Sequence, residues 1–270
     1  MKILMNLSRR SLVQTIVLSF AAPFAHTADS RTATAVVINR AARFRSLSQR
    51  CAKAYCQIQQ GVMPDNARGI IASAQRLMQV GFEDLGKVSF AGDNSKYFNS
   101  LVTDVDVLNM MIATPPTKDR IVQVSMQADK VLEIANMLTL AIEATSGQAS
   151  AKLINLAGRQ RMLSQRLAKN YFLTTAGAES KLSREQLTSD QSDFKQAILT
   201  LNTAPVSTSG IRNEIQQAQS QWIFFEAALN RKSDMESMRY VATTSERLLE
   251  INDNLTLLYE TVLKDPLGKI

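Results

Sequence analysis

Residues 154–171 read INLAGRQRMLSQRLAKNY, and residues 38–55 read INRAARFRSLSQRCAKAY. Aligned at an offset of 116 residues, the two stretches are identical at 12 of 18 positions. Chance does not produce this level of identity, so the chain contains an internal repeat, and a repeat decides how the rest of a sequence is interpreted. Both stretches have the spacing of an Arg-rich amphipathic helix, and we predict that each copy of the repeat opens with this helix.

A weaker match closes each copy. Leu-Glu-Ile at 132–134 recurs at 249–251, and Leu-Thr-Leu at 138–140 recurs at 255–257, both at an offset of 117. The duplication therefore spans the chain beyond its N-terminal segment. We assign residues 29–147 to a first helical-bundle repeat and residues 148–270 to a second.

The composition favours helices throughout. Hydrophobic residues make up 45% of the chain, while Gly and Pro number only 10 and 6. Helical patterns occupy about 66–86 and 96–112 in the first copy and about 184–202 and 210–231 in the second. We predict an all-α fold of tandem duplicated four-helix bundle units, arranged as two bundles or as one merged bundle. Because few breakers interrupt 119–176, we also predict that the copies share one long central helix.

The N-terminus has the features of an export signal. Lys2, Arg9 and Arg10 precede an apolar stretch at 12–20, and small residues follow it. We predict a cleaved signal peptide over residues 1–28 and a periplasmic protein, with the secretory and twin-arginine routes both open. An uncleaved anchor is the alternative.

Charge and side-chain chemistry exclude several function classes. The formal net charge is +7 for the whole chain, and the basic residues are spread among acidic ones, so we expect no nucleic-acid binding. The only His, His26, lies in the predicted signal peptide. A mature chain without His lacks the usual metal ligand and general base, so we expect no metal, no cofactor and no enzymatic activity.

Cys51 and Cys56 lie five residues apart on a predicted helix. Their Cα atoms would be about 8 to 9 Å apart, which is too far for an unstrained disulfide. We predict buried free thiols, with a redox pair as the alternative.

The Arg helix of each copy has a face of small and polar residues with one Arg near its centre. In the second copy this face holds Ala157, Gly158 and Arg161, and in the first copy Ala41, Ala42 and Arg45. Small residues let another helix approach closely, which would bury the Arg. If the two copies pack about a pseudo-two-fold axis, Arg45 and Arg161 face each other and require a negative partner.

Two partners remain open. One is an internal Asp or Glu, or the carboxyl end of a helix, that forms a structural ion pair with each Arg. The other is a bound planar oxyanion, which suits the paired N–H groups of a guanidinium. The candidate ligand-binding residues are Arg45, Arg161, Asn39, Asn155, Ser48, Ser164, Gln49, Gln165, Gly158, Arg50 and Arg166. Arg50 and Arg166 lie roughly 140° around the helix from the central Arg residues and are weaker candidates.

The pattern of Asn155, Gly158, Arg161 and Arg166 resembles the periplasmic P-box helix of nitrate/nitrite sensor kinases of the NarX type. Two such units in one chain resemble the PilJ-type domain, the N-terminal module of type IV pili methyl-accepting chemotaxis transducers. The resemblance implies an all-helical periplasmic sensor. In the NarX type, nitrate lies between the P-box Arg residues, which match Arg161 and, through the repeat, Arg45.

These observations predict a periplasmic sensory module for a small oxyanion such as nitrate or nitrite. Its output would pass to a separate membrane-bound receptor or transporter, because no kinase or methyl-accepting region follows the repeats. The alternative is a ligand-free helical module that docks onto a chemotaxis, pilus or transport assembly.

Overall fold

The computed structural model describes residues 22–146 and 149–264. Over these residues the chain forms eight α-helices and no strand, so the predicted all-α class is confirmed. The helices are α1 Ala22–Gln59, α2 Pro64–Leu85, α3 Asp93–Ile112, α4 Lys118–Ser146, α5 Ala149–Thr175, α6 Lys181–Asn202, α7 Ser209–Leu229 and α8 Met235–Lys264.

Local sequence sets several helix ends. Ser180 caps α6 through a capping box with Ser183, and the Thr208 side chain accepts from the backbone N–H of Ile211 at the start of α7. Pro64 begins α2, where its missing N–H is no loss, directly after Met63 at a φ of 47°. The four helical segments predicted inside the repeats agree with α2, α3, α6 and α7 to within a few residues at each end.

Four long helices, α1, α4, α5 and α8, form one central bundle. Each outer helix packs mainly on one of them: α2 on α1, α3 on α4, α6 on α5 and α7 on α8. Of the two arrangements open at the sequence level, the structure has the merged bundle. The core is continuous through both halves of the chain.

The predicted long shared helix is wrong. Helix α4 ends at Ser146 and α5 begins at Ala149, and the two helices run antiparallel. Their direction follows from two contacts: Asn155 donates to Glu143 at 2.6 Å, and Lys169 pairs with Asp129 at 2.6 Å. In a single straight helix, Asp129 and Lys169 would lie about 60 Å apart. Helical periodicity is local, so it did not reveal that the chain reverses here.

Helices α1 and α5 run parallel to each other. Ala42 lies against Gly158, and Gln60 reaches the backbone of Phe172, so positions on α5 rise with positions on α1. Helix α8 is antiparallel to α1, because Asn39 near the start of the seam contacts Glu260 and Arg50 farther along α1 contacts Glu246. The face shared by α1 and α5, centred on Ala42 and Gly158, is called the seam below.

The predicted signal peptide lies outside the described residues over 1–21, and residues 22–28 form the first part of α1. Among the helices of the described residues, none combines the length and hydropathy that a membrane span requires.

Candidate functional site

The two central Arg residues meet in the seam. A Cβ atom built on Gly158 would lie 3.7 Å from the Cβ of Ala42, 3.1 Å from Nη2 of Arg161 and 3.7 Å from Nη2 of Arg45. Both guanidinium groups thus reach the same point between α1 and α5. Arg45 is 2% exposed and Arg161 is 1% exposed, so both charges are withdrawn from water. The structure brings together the pair that the repeat had placed on facing surfaces.

Arg161 has an internal carboxylate partner. Its Nη1 donates to Oδ1 of Asp253 on α8 at 2.7 Å, and its Nη2 donates to Oδ1 of Asn39 at 2.8 Å. Arg43 donates to the other oxygen of Asp253. Burial lowers the pKa of Arg161, and the charge of Asp253 opposes that shift. For Arg161 the structure therefore contains the internal ion pair that the sequence left open.

Arg45 has different partners. Its Nη1 donates to the side-chain oxygen of Asn136 on α4 at 2.9 Å, and its remaining bonds go to the backbone oxygens of Ala42 and Asn155 at 3.2 and 3.5 Å. Within the described ranges, no carboxylate lies at ion-pair distance from this guanidinium. Burial, reinforced by the charge of Arg161, lowers the pKa of Arg45 to about 9.

Asn39 and Asn155, which are equivalent in the repeat, each bind a carboxylate at the end of the seam. Asn39 donates to Glu260 at 2.5 Å, and Asn155 donates to Glu143 at 2.6 Å. The charge of Glu143 raises the pKa of Arg45, and that of Glu260 raises the pKa of Arg161, in each case against the larger effect of burial. Each Asn thus positions a Glu close enough to act on one Arg.

Gln49 and Gln165 lie one turn beyond the two Arg residues and are fully buried. Gln165 donates to the backbone oxygen of Ser245 at 2.9 Å, but its own oxygen and both amide atoms of Gln49 have no hydrogen-bond partner among the described residues. Buried polar groups are normally hydrogen-bonded. The Gln49 amide is therefore an unusual feature of the seam, because both of its polar atoms are buried without a partner among the described residues.

Four other sequence candidates do not join the cluster. Arg50 pairs with Glu246 on α8 at 2.5 Å, and Arg166 forms two bonds with Asp190 on α6 at 2.7 and 2.5 Å. The hydroxyls of Ser48 and Ser164 donate to backbone oxygens of their own helices, at 3.1 and 2.9 Å. These side chains are engaged in structural contacts in this packing of the helices.

Sequence reasoning missed the partners on α4 and α8. Asn136, Glu143 and Asp129 on α4 correspond to Asp253, Glu260 and Glu246 on α8, all at the offset of 117 that joins the Leu-Glu-Ile and Leu-Thr-Leu matches. In both copies these positions contact the Arg helices. Extending the weaker repeat by one turn in each direction would have found them.

An open groove lies beside the cluster, between α7 and α8. Its volume is about 1120 Å³, and its lining includes Phe224, Arg231, Tyr240 and the carboxylate-bearing Asp253. Asp253 is 24% exposed, so it links the groove to buried Arg161. In the described part of the chain, His, Cys, Asp and Glu form no group of three or more suited to hold a metal ion.

Comparisons with known proteins match part of the chain. No curated protein and no solved structure gives a match. Residues 143–248, a range shorter than half of the chain, match the family described as "Type IV pili methyl-accepting chemotaxis transducer N-term", named PilJ. The range begins at Glu143, contains the Arg helix α5 and ends on α8, so the PilJ resemblance predicted from the sequence is confirmed over these residues.

Proposed function

We propose that this protein is a helical sensory module that binds a small oxyanion in the seam between α1 and α5. Nitrate and nitrite are the first ligands to test, on the strength of the P-box resemblance. The match of residues 143–248 to the N-terminal part of chemotaxis transducers supports a sensory or signalling role. The proposal includes export to the periplasm by the signal peptide over 1–28 and involves no catalytic step.

The observation that carries the proposal is the environment of Arg45. A guanidinium withdrawn from water requires a negative or strongly accepting partner, because an uncompensated buried charge costs several kcal/mol. Arg45 has one amide oxygen and two backbone oxygens, and a second guanidinium, that of Arg161, lies beside it. A planar oxyanion would accept paired N–H bonds from Arg45 and reduce the repulsion between the two Arg residues.

Binding would act through the packing of the helices. Arg45 is 2% exposed, so an anion reaches it only when α1 and α5 separate or slide along the seam. A ligand that interacts with one of two packings more strongly shifts the population toward that packing. A separate membrane-bound receptor or transporter would then detect the change on the surface of the bundle.

Isothermal titration tests the proposal, with nitrate, nitrite and sulfate as probes. The variants are Arg45→Gln and Arg161→Ala, and the control is Arg68→Ala, which removes an exposed Arg paired with Asp65 on α2. We expect wild type and the control to bind at least one anion and both seam variants to lose binding, with circular dichroism showing that each is folded. Absence of heat from all three anions with wild type, or unchanged binding by Arg45→Gln, would overturn the proposal.

A second candidate function is docking onto a chemotaxis, pilus or transport assembly without a ligand. The observation that favours it is the pair Ile223 and Phe224 on α7, both 65% exposed, with Phe224 lining the groove against α8. Exposed large apolar side chains beside a groove are typical of interaction surfaces. Replacing Phe224 with Ser should weaken such docking and leave anion binding unchanged, which separates the two functions.

A further inference from the structure

The two Arg residues of the seam occupy equivalent positions but have unequal partners. Arg45 and Arg161 are related by the offset of 116, and the side chains they contact, Asn136 and Asp253, are related by the offset of 117. Each Arg uses Nη1 for this contact, at 2.9 Å to the amide and 2.7 Å to the carboxylate. One geometry is thus present twice, once with a negative charge and once without it.

The neighbouring charges follow the same division. Arg43 joins Arg161 at Asp253, so two cations share that carboxylate in a partly buried layer. Arg159 is the counterpart of Arg43 in the repeat. It turns outward to Asp193 on α6 at 2.6 Å, where both side chains are 45% exposed.

The carboxylates farther along the seam do not remove this difference. Glu143 and Glu260 are equivalent, and each accepts from an equivalent Asn. Glu143 therefore places a negative charge near Arg45 in the same way that Glu260 places one near Arg161. The difference that remains in this layer is the carboxylate that Asp253 supplies and Asn136 does not.

We infer that the seam contains one open anion half-site, at Arg45, and one half-site that the protein fills with its own carboxylate, Asp253. This inference rests on the proposed function. It specifies that each chain binds one small anion and not two, and that Asn136 is the residue that keeps the Arg45 half-site open. The asymmetry gives a duplicated scaffold a single responsive side, since the anion would replace the contacts that Arg45 makes from α1 to α4 and α5.

Exchanging the two residues tests the inference. The variants are Asn136→Asp, which supplies a carboxylate to Arg45; Asp253→Asn, which removes the one at Arg161; and the double exchange, which keeps the net charge of wild type. Asn99→Asp, at an exposed position on α3, matches the charge change of the first variant elsewhere. Titration with nitrate and nitrite gives the number of anions bound, and thermal unfolding gives Tm.

We expect one anion per chain for wild type and for Asn99→Asp, and none for Asn136→Asp, whose Tm should rise by about 2 to 6 °C. The double exchange should again bind one anion, and adding Arg161→Ala to it should abolish that binding. Two anions bound by wild type, or one still bound by Asn136→Asp with unchanged affinity, would overturn the inference and leave the proposed function standing. If neither wild type nor Asp253→Asn binds an anion, the inference and the proposed function are both overturned.

Discussion

Ala42 and Gly158 face each other across the parallel helices α1 and α5, with 3.7 Å between the Cβ of Ala42 and the Cβ position at Gly158. They are equivalent in the repeat, at an offset of 116. The close approach lets guanidinium groups from both helices reach one point. Because these two residues are small, the two Arg-rich helices pack closely and their central Arg residues are buried in one layer.

Gly158→Ala should lower the free energy of unfolding by up to about 1 kcal/mol. The added methyl group would crowd a side chain that cannot easily move, and this cost outweighs the gain in helix propensity. The new Cβ would lie 3.1 Å from Nη2 of Arg161, which Asp253 and Asn39 hold in place. Gly69→Ala on α2 is the control. It meets nothing within 4 Å and should stabilise by about 0.5 to 1 kcal/mol. Equal stabilisation in urea unfolding would contradict the expectation.

Gly81→Ala should destabilise more strongly, by about 1 to 2 kcal/mol net. A Cβ at Gly81 would lie 2.8 and 2.9 Å from two ring carbons of Phe44, which is buried and packs against Phe82 at a centroid distance of 4.6 Å. Urea unfolding of Gly81→Ala, Phe44→Leu and the double variant measures the effect. The double variant should be less destabilised than the sum of the two singles, and strict additivity would show that the two positions do not touch.

Glu246→Gln should destabilise by about 3 kcal/mol or more, because it removes the only carboxylate that the described residues place on Lys53. Lys53 is fully buried, and its Nζ contacts Glu246 at 2.6 Å and the Ser245 hydroxyl at 3.1 Å. Glu250→Gln removes an exposed carboxylate one turn along α8 and should change the free energy of unfolding by less than about 0.5 kcal/mol. Similar losses in the two variants would argue against a structural role for the buried pair.

Acid should remove the contribution of the same pair. Burial alone would raise the pKa of Glu246, but Lys53 and Arg50 outweigh it and lower the pKa from 4.5 to about 2. A carboxyl with a lowered folded pKa adds stability above its unfolded pKa and loses it as the pH falls through the folded pKa. The free energy of unfolding of wild type should therefore fall by up to about 3 kcal/mol between about pH 5 and pH 2 through this group. Glu246→Gln should show a smaller fall, and an identical pH profile would refute the assignment.

Cys51 and Cys56 should be unreactive in the folded protein. Both are free and fully buried, and burial raises the pKa of each thiol to about 12, so the thiolate that reacts is scarce near neutral pH. Titration with a thiol reagent at pH 8 should give almost no reaction in native protein and two thiols per chain after unfolding. Fewer than two thiols in the unfolded, non-reduced protein would indicate oxidation and contradict the prediction.

Breakers and caps in the sequence were enough to place the outer helices. Pro64, Ser180 and Thr208 each act on the few backbone N–H groups that follow them, so their effect depends on neighbours in sequence alone. The repeat likewise indicated which Arg residues occupy equivalent places. The reversal between α4 and α5 was not predicted, because it depends on pairings such as Lys169 with Asp129, 40 residues apart.

The sequence by itself determined the helical class, the duplication of the Arg pattern and the small residues that let α1 and α5 approach. Only the tertiary structure decided which side chain each Arg contacts, since Asp253 lies 92 residues from Arg161 and Asn136 lies 91 residues from Arg45. Periodicity fixes the face of a helix on which a charge lies. The partner of that charge depends on which helices pack against that face, and this depends on the burial of the whole core.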